Sequence, residues 1–391
     1  MAAPPAPAPP SLLGYHRILS PLAGLRVSPL CLGTMHFGGG WTAAMGEVTK
    51  ESAFTILDKF YTSGGNFIDT ANFYQFEGSE TWIGDWIADR TASKALTRDE
   101  LVLATKYTMG YRMRGAEKIQ SNFQGPHSKS LRLSVEASLR KLQTDYIDLL
   151  YVHMWDFSTG VEEVMQSLHH LVAAGKVLNI GISDAPAWVV VKCNEYARFH
   201  GLTRFCVYQG KWSCSFRDFE REILPMAQSE GLALAPWGAL GRGQFRTPEE
   251  FTHAGRKMGP QEEKNIVVAR KLAEVGDRRG VAPTTIALAY LLHKAPYVFP
   301  VIGCRTVEQL EGNLESLAVE LSEGEVHEIE DAVEFDVGFP MAFLFEFPGQ
   351  KYRSDMTTRH IWQVTATSRL ETVPNPRPIE PRQGYNQMDR K

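Results

Sequence analysis

Eight short apolar segments alternate with amphipathic stretches along the chain, and this alternation constrains the fold more than any other feature. Each apolar segment is followed by polar residues or glycine, as is typical of buried parallel strands. The predicted strands are Pro29–Gly33, Asn66–Asp69, Leu101–Thr105, Ile147–His153, Val177–Ile182, Phe205–Gln209, Leu232–Pro236 and Val298–Ile302. Predicted helices span residues 50–63, 79–90, 128–142, 161–174, 186–199, 217–229, 262–279, 283–294, 306–316 and 322–333.

Eight strand–helix alternations favour a closed barrel over an open doubly wound sheet, which typically has about five or six strands. The first predicted strand leads into a glycine-rich run, Cys31–Gly40, that lacks the GxGxxG spacing of dinucleotide-binding open sheets. The predicted fold class is therefore α/β, a (β/α)8 TIM barrel. Any nucleotide must be bound in a way that does not use that glycine fingerprint.

The two ends of the chain differ in composition from its middle. Residues 1–14 are rich in proline and alanine and predict a disordered leader, and residues 15–335 predict the barrel domain. Residues 336–391 predict a C-terminal tail with too many aromatic residues to be purely solvated. We expect residues 339–347 to fold over the pocket, and residues 360–391 to be peripheral or to join a neighbouring subunit.

The charge and cysteine content exclude several classes of protein. The net charge is −4 and basic residues are scattered, which argues against a nucleic-acid groove or an anionic membrane surface. The five cysteines form no CxxC pair, which argues against a disulfide framework or zinc site. With no secretory signal and no long apolar run, the sequence predicts a soluble, cytoplasmic protein with a small-molecule partner. Its oligomeric state stays open.

Four polar side chains lie at the carboxyl ends of neighbouring predicted strands, where TIM barrels carry their reactive groups. Asp69 and Tyr74 follow the second predicted strand, Lys106 follows the third, and His153 ends the fourth. Each residue alone has an ordinary structural explanation, such as a helix cap for Asp69 or a surface charge for Lys106. Together, however, the four residues fit one reaction.

That reaction is carbonyl reduction. Hydride transfer to a carbonyl carbon leaves negative charge on the oxygen, which needs a proton donor within hydrogen-bond reach. Tyr74 is the predicted donor, and a buried lysine beside its phenol is expected to lower the tyrosine pKa from its reference value of about 10. Asp69 is expected to keep Lys106 charged, and His153 to donate to the substrate oxygen.

The motif around these residues resembles the aldo-keto reductase superfamily, and more narrowly its fungal aryl-alcohol dehydrogenase branch, which includes norsolorinic-acid-reductase-like members. The superfamily form G-N-F-I-D-T-A-x-x-Y is kept at Gly65–Tyr74, and the Asp, Tyr, Lys and His tetrad matches the four residues above. The resemblance covers roughly residues 12–345. The segments that carry it are 25–29, 151–155, 171–177, 183–190 and 297–303.

The resemblance implies that NADPH, or NADP+ in the reverse direction, lies extended across the barrel mouth. Ser183, Asp184 and Gln209 would hold the carboxamide, although Asp184 stands where an asparagine is commoner. Trp237 would stack on the nicotinamide, and backbone amides from Gly238 to Gly243 would follow the pyrophosphate. Arg305 would hold a 2′-phosphate. The full predicted cofactor set is Thr34, Met35, Asp69, Ser183, Asp184, Gln209, Trp237, Gly238, Ala239, Leu240, Gly241, Gly243, Gly303, Arg305, Gln309 and Asn313.

Aromatic residues gather at the predicted rim of the barrel, and aromatic walls suit flat apolar carbonyls. The resemblance implies aryl aldehydes or polyketide-type aryl ketones as substrates. The predicted pocket comprises Trp41, Tyr74, Tyr107, His153 and Trp155, with Phe73 and either Phe339 or Phe343 beside them.

Two other functions stay open at this point. A protein of this type could bind NADPH and regulate a partner without catalysing a reaction, although the intact tetrad argues against that. A barrel of this kind could also be a metal-dependent lyase, but no cluster of His, Asp and Glu ligands lies at the strand ends, so no metal is expected.

Overall fold

The computed structural model describes residues 4, 6–246 and 260–382, and these form a closed barrel of eight parallel strands. The barrel strands are β3 (Cys31–Gly33), β4 (Phe67–Asp69), β5 (Val102–Tyr107), β6 (Ile147–Val152), β7 (Val177–Ser183), β8 (Phe205–Lys211), β9 (Ala233–Trp237) and β10 (Val301–Ile302). Neighbouring strands pair in chain order, and β10 pairs with β3. The seam closes at Leu234, whose N–H donates to the Tyr297 carbonyl at 2.9 Å and whose carbonyl accepts from Phe299 N at 2.8 Å.

Helices surround the barrel close to where the amphipathic stretches predict them. Before the last barrel strand these are α1 (Thr42–Met45), α2 (Lys50–Thr62), α3 (Gly78–Ala92), α4 (Ser128–Leu142), α5 (Val161–Ala173), α6 (Ala187–His200), α7 (Ile223–Glu230), α8 (Glu263–Arg279) and α9 (Pro283–Lys294). After it come α10 (Val307–Leu314), α11 (Glu323–Glu330), α12 (Met341–Phe345) and α13 (Trp362–Thr367). The predicted (β/α)8 barrel is confirmed. None of the helices in the described residues is long and apolar enough to cross a membrane.

An antiparallel hairpin that the sequence reading missed closes the amino-terminal end of the barrel. Its strands are β1 (Arg17–Ser20) and β2 (Ala23–Val27). Leu19, Ala23 and Val27 pack with residues that begin the barrel strands, among them Phe67 and Val102, in an apolar cluster inside the barrel. A second, larger cluster lies between the strands and the helices. Because the hairpin covers one end, the reactive side chains are confined to the other.

The N-terminal segment is ordered earlier than predicted. Ser11 caps a short 3-10 helix, Leu12–Gly14, and its hydroxyl donates to the Ser63 carbonyl at 2.6 Å. Leu13 is fully buried in the larger core cluster. The predicted leader boundary at residue 14 is therefore wrong, because Leu12 and Leu13 bury apolar surface that a disordered leader would leave in water.

The C-terminal tail is anchored to the barrel by buried ions. Arg353 of the tail pairs with Glu330, which also pairs with Lys294. Arg217 bonds Glu220 at 2.8 Å, and Lys294 lies 3.3 Å from the same carboxylate. We call these five residues the tail ion cluster. Burial alone would raise the pKa of Glu330, but Lys294 and Arg217 hold that pKa below its usual range, so the carboxylate stays charged.

The ring contacts of Phe339, Phe343 and Phe345 in the described residues are with other residues of the tail. Phe345 packs with Val337 and Tyr352 in a separate apolar cluster. Phe339 is 86% exposed, and within the described chain its ring contact is with Phe343, which in turn contacts Trp362. These contacts give no support to the expectation that residues 339–347 close the pocket, which stays a prediction.

Candidate active site

The structure brings the four predicted reactive residues together at the carboxyl end of the barrel. Asp69 ends β4, Lys106 lies near the end of β5, His153 follows β6, and Tyr74 lies between β4 and α3. The Lys106 Nζ atom donates to Asp69 Oδ1 at 2.5 Å and to Tyr74 Oη at 3.3 Å. A third bond, to the Thr70 carbonyl at 2.7 Å, fixes the ammonium between the acid and the phenol.

Burial sets the ionisation of these groups. Lys106 is fully buried, which alone would lower its pKa, but the Asp69 carboxylate raises the pKa above its usual value. For Tyr74, burial raises the pKa and Lys106 opposes this shift without reversing it. Lys106 lowers the pKa of Tyr74, as predicted, but desolvation of the phenolate is the larger effect, so the net pKa lies above its usual value. Tyr74 is a neutral phenol beside a charged lysine.

His153 lies next to the phenol as a neutral ring. Burial, followed by repulsion from Lys106, holds its pKa well below the usual value. Its ring centroid is 5.7 Å from that of Tyr74 and 5.4 Å from that of Phe73. Its buried Nδ1 atom has no hydrogen-bond partner among the described residues. Trp41 extends this wall, with its ring 5.4 Å from Phe73 and 6.1 Å from Tyr74.

The predicted carboxamide residues lie beside the tetrad. Ser183 is buried at the end of β7, next to Asp184. Gln209 Nε2 donates to Asp69 Oδ2 at 2.9 Å, a link that the sequence did not reveal. Asp184 Oδ1 accepts from Trp237 Nε1 at 3.1 Å, which ties the carboxylate to the predicted stacking platform. The Asp184 residue as a whole is exposed at the barrel mouth. Desolvation of its carboxyl group nevertheless raises the pKa of that group to about 6.

The turn after β9 has the open backbone that a phosphate requires. Gly238, Gly241 and Gly243 have φ values of 72°, 58° and 84°, in the left-handed region that favours glycine. A Cβ added to Gly238 would lie 3.7 Å from the side chains of both Arg242 and Lys211. The sequence analysis missed both cations. Arg242 could have been found from its place between Gly241 and Gly243, whereas Lys211 comes from the end of β8. The loop beyond, residues 247–259, lies outside the described residues.

The loop after β10 carries the residues predicted to bind the adenosine. Arg305 is half-buried, and its backbone N–H donates to Gln309 Oε1 at 2.9 Å. Asn313 follows one turn later on α10 and is buried. Gly303 is exposed, and a Cβ there would have only His36 as a neighbour, at 3.8 Å. A longer side chain would therefore fit at position 303, so glycine is not required there by packing.

Three predicted site residues are buried away from the mouth. Thr34 is fully buried, and its hydroxyl donates to the Asp69 carbonyl at 2.9 Å. Tyr107 is 1% exposed, and its hydroxyl donates to the Pro126 carbonyl. Trp155 packs in the core between strands and helices. These contacts give no support to Thr34 as a cofactor contact or to Tyr107 and Trp155 as rim residues, and the three assignments stay predictions. Met35, the residue after Thr34, is only half-buried, and its carbonyl accepts a hydrogen bond from Gln75 Nε2 at 2.9 Å.

Comparison with known proteins identifies the family. The model of the aldo/keto reductase family matches residues 29–334. The chain belongs to the aldo/keto reductase family. It is 79% identical to norsolorinic acid reductase stcV of Emericella nidulans, over all of both chains, and 65% identical to norsolorinic acid reductase A of Aspergillus parasiticus, over 98% of each. It is also 53% identical to an aryl-alcohol dehydrogenase of Pestalotiopsis microspora, over 87% of this chain and 88% of that one.

This aldo/keto reductase is therefore an oxidoreductase that acts on carbonyl or alcohol groups. Enzymes of the family use a nicotinamide dinucleotide as hydride carrier. Within the described residues, no three His, Cys, Asp or Glu side chains are grouped in a way that could hold a metal ion.

Proposed function

We propose that this aldo/keto reductase uses NADPH to reduce an aryl ketone or aryl aldehyde, reversibly, with Tyr74 as the proton donor. The observation that carries the proposal is the contact of one buried ammonium, Lys106 Nζ, with both the Asp69 carboxylate and the Tyr74 hydroxyl. That arrangement places a neutral acid beside a fixed positive charge, which is what the conversion of a carbonyl oxygen to a hydroxyl requires.

A bound nicotinamide would supply the hydride, and residues of the chain would donate the proton and stabilise the charge that remains. Tyr74 Oη gives its proton to the oxygen on which negative charge develops. Lys106, 3.3 Å away, stabilises the phenolate that remains, and Asp69 keeps Lys106 charged and oriented. The neutral His153 ring, beside Tyr74, orients the carbonyl oxygen by hydrogen bonding.

Features of the mouth fit a nicotinamide dinucleotide. Ser183 and Gln209, at the ends of neighbouring strands, are the proposed partners of the carboxamide, and Asp184 accepts a hydrogen bond from the Trp237 indole beside them. The glycine turn at 238–243, with Lys211 and Arg242 next to it, suits a pyrophosphate. Arg305 on the β10 loop is the proposed partner of the 2′-phosphate that distinguishes NADPH from NADH.

Changing Arg305 to alanine tests the choice of cofactor. The loss of a charge-assisted contact is expected to weaken NADPH binding by about 1.5–3 kcal/mol, or roughly 10- to 150-fold, and to leave NADH nearly unaffected. Fluorescence titration of the purified protein with each cofactor measures both constants. Arg26→Ala, on the exposed hairpin at the opposite end of the barrel, is the matched control. Equal losses for NADPH and NADH would show that Arg305 does not read the 2′-phosphate.

The substrate class follows from the wall beside Tyr74. Trp41 and Phe73 present half-buried aromatic rings there, and flat aryl carbonyls bury the most surface against such rings. The names of several relatives, norsolorinic acid reductases and an aryl-alcohol dehydrogenase, support the same class. We therefore propose a polyketide-type aryl ketone or an aryl aldehyde.

The direct test is NADPH oxidation by the purified protein with a panel of aryl aldehydes, quinones and polycyclic aryl ketones, and with small aliphatic aldehydes for comparison. We expect turnover, with higher kcat/KM for the aryl compounds. Tight NADPH binding without turnover of any carbonyl in the panel would contradict the proposal and favour a regulatory cofactor-binding role.

A further inference from the structure

The turn that follows Tyr74 has an unusual backbone. Gln75, Phe76 and Glu77 have φ values of 53°, 52° and 77°, so three consecutive residues other than glycine lie in the left-handed region. Such residues are uncommon even singly, and they persist only where surrounding contacts hold them in place. The contacts that hold this turn are therefore informative about its role.

A glycine run on the neighbouring loop packs directly against the turn. A Cβ added to Gly38 would lie 2.5 Å from the Cβ of Gln75, and one added to Gly40 would lie 2.7 Å from the Gln75 carbonyl oxygen. Any side chain at either position would collide with the turn. The glycine-rich run that lacks a nucleotide-binding spacing thus has a different purpose: it lets the 35–41 loop approach the residue next to Tyr74.

The Gln75 side chain then fixes that loop at two points. Gln75 is 4% exposed; its Oε1 accepts from the Trp41 backbone N–H at 2.7 Å, and its Nε2 donates to the Met35 carbonyl at 2.9 Å. Both bonds are partly buried, and the loss of one partner leaves the other group without its hydrogen bond. One side chain therefore sets the position of the loop relative to Tyr74.

The loop carries Trp41, whose indole contacts the rings of Phe73, Tyr74 and Phe76. Its centroid lies 5.4 Å from Phe73, 6.1 Å from Tyr74 and 5.9 Å from Phe76. We propose that Gln75 is a positioning residue that holds the Trp41 ring at a set distance from Tyr74 and thereby determines selectivity for aryl over small aliphatic carbonyls. This inference rests on the proposed reduction at Tyr74.

Gln75→Met tests the proposal, because methionine has a similar length and volume but makes neither hydrogen bond. We expect KM for an aryl ketone to rise about tenfold or more, with kcat and the NADPH dissociation constant changed by less than about threefold. KM for a small aliphatic aldehyde, which does not reach Trp41, is expected to stay near the wild-type value. Gln166→Met, in which the lost amide bonds Tyr196 on the outer helices, is the matched control.

A double-mutant cycle with Trp41→Ala distinguishes positioning from general stabilisation. If Gln75 acts through Trp41, Gln75→Met adds no further loss of aryl selectivity once the indole is gone. Additive losses, or an equal fall in kcat for both kinds of substrate, would overturn the proposal.

Calorimetry with the NADP+-loaded protein measures the dissociation constant of an aryl ketone, and so tests its contact with Trp41 without turnover. Weaker binding in Gln75→Met supports the role of Gln75 even in a protein that reduces nothing, and unchanged binding contradicts it. Failure of the proposed reductase activity is thereby separated from failure of this inference. Circular dichroism of each variant verifies that the fold is retained.

Discussion

Replacing Tyr74 by phenylalanine is expected to lower kcat for carbonyl reduction by about 10²- to 10⁴-fold, the range for loss of a general acid. The substitution removes only the Oη atom, so the ring contacts with Trp41 and His153 are retained. The NADPH dissociation constant should therefore change little. Steady-state assays with an aryl aldehyde, together with fluorescence titration of NADPH, measure the two quantities on one preparation.

Tyr61→Phe is the matched control for this experiment. Tyr61 lies on α2, and its hydroxyl donates to the Glu100 side chain at the surface, so its loss should leave turnover at the wild-type level. Wild-type turnover in Tyr74→Phe would refute the assignment of the proton donor. A parallel loss of NADPH binding would instead point to disruption of the site.

Lys106→Met is expected to reduce turnover by a similar or larger factor and also to destabilise the protein. The reaction loses the charge that stabilises the Tyr74 phenolate, worth about 10²-fold or more. The fold loses the charged partner of the buried Asp69 carboxylate, which keeps the bond from Gln209; breaking a buried pair in this way costs about 3–5 kcal/mol. Rates and urea unfolding measure the two effects separately.

The pH dependence gives the Lys106 prediction a specific sign. In the wild type the pKa of Tyr74 is already raised by burial, and Lys106 limits that rise. Reduction needs the protonated phenol, so its rate should be level near neutral pH and fall as pH rises through the tyrosine pKa. Without Lys106 that pKa rises further, and the alkaline fall should move to higher pH. An unchanged pH profile together with an unchanged rate would show that Lys106 does not act on Tyr74.

Strand-end positions were sufficient to predict that Asp69, Tyr74, Lys106 and His153 lie close together, because the carboxyl ends of parallel strands meet at one end of a barrel. The departures from prediction have physical causes. In β5 successive side chains alternate, so with Lys106 directed into the barrel, Tyr107 faces the helices, and this alternation could have argued against a place for it at the rim. The direction of the Tyr74 pKa depends on the degree of burial, which spacing alone does not reveal.

The sequence did not predict several long-range hydrogen bonds or the β1–β2 hairpin, for a different reason. The bonds from Gln209 to Asp69 and from Gln75 to the 35–41 loop join residues far apart in the chain, so no local pattern marks them. The β1–β2 hairpin is short, and its importance comes from the barrel end that it covers. Such features depend on tertiary contacts that the order of residues expresses only indirectly.

The tail ion cluster has a consequence for how this protein can be shortened or recombined with a relative. A chain cut after Val337 keeps every residue proposed for catalysis and cofactor binding, but it removes Arg353 from a carboxylate, Glu330, that is almost wholly inaccessible to solvent. The tail and the barrel are therefore linked by an ion pair whose two partners come from different parts of the chain. Glu330 would keep Lys294 and Arg217 as partners, so the expected loss is that of one ion pair of the cluster. A chimaera that exchanges Glu330 and Arg353 together retains that pair.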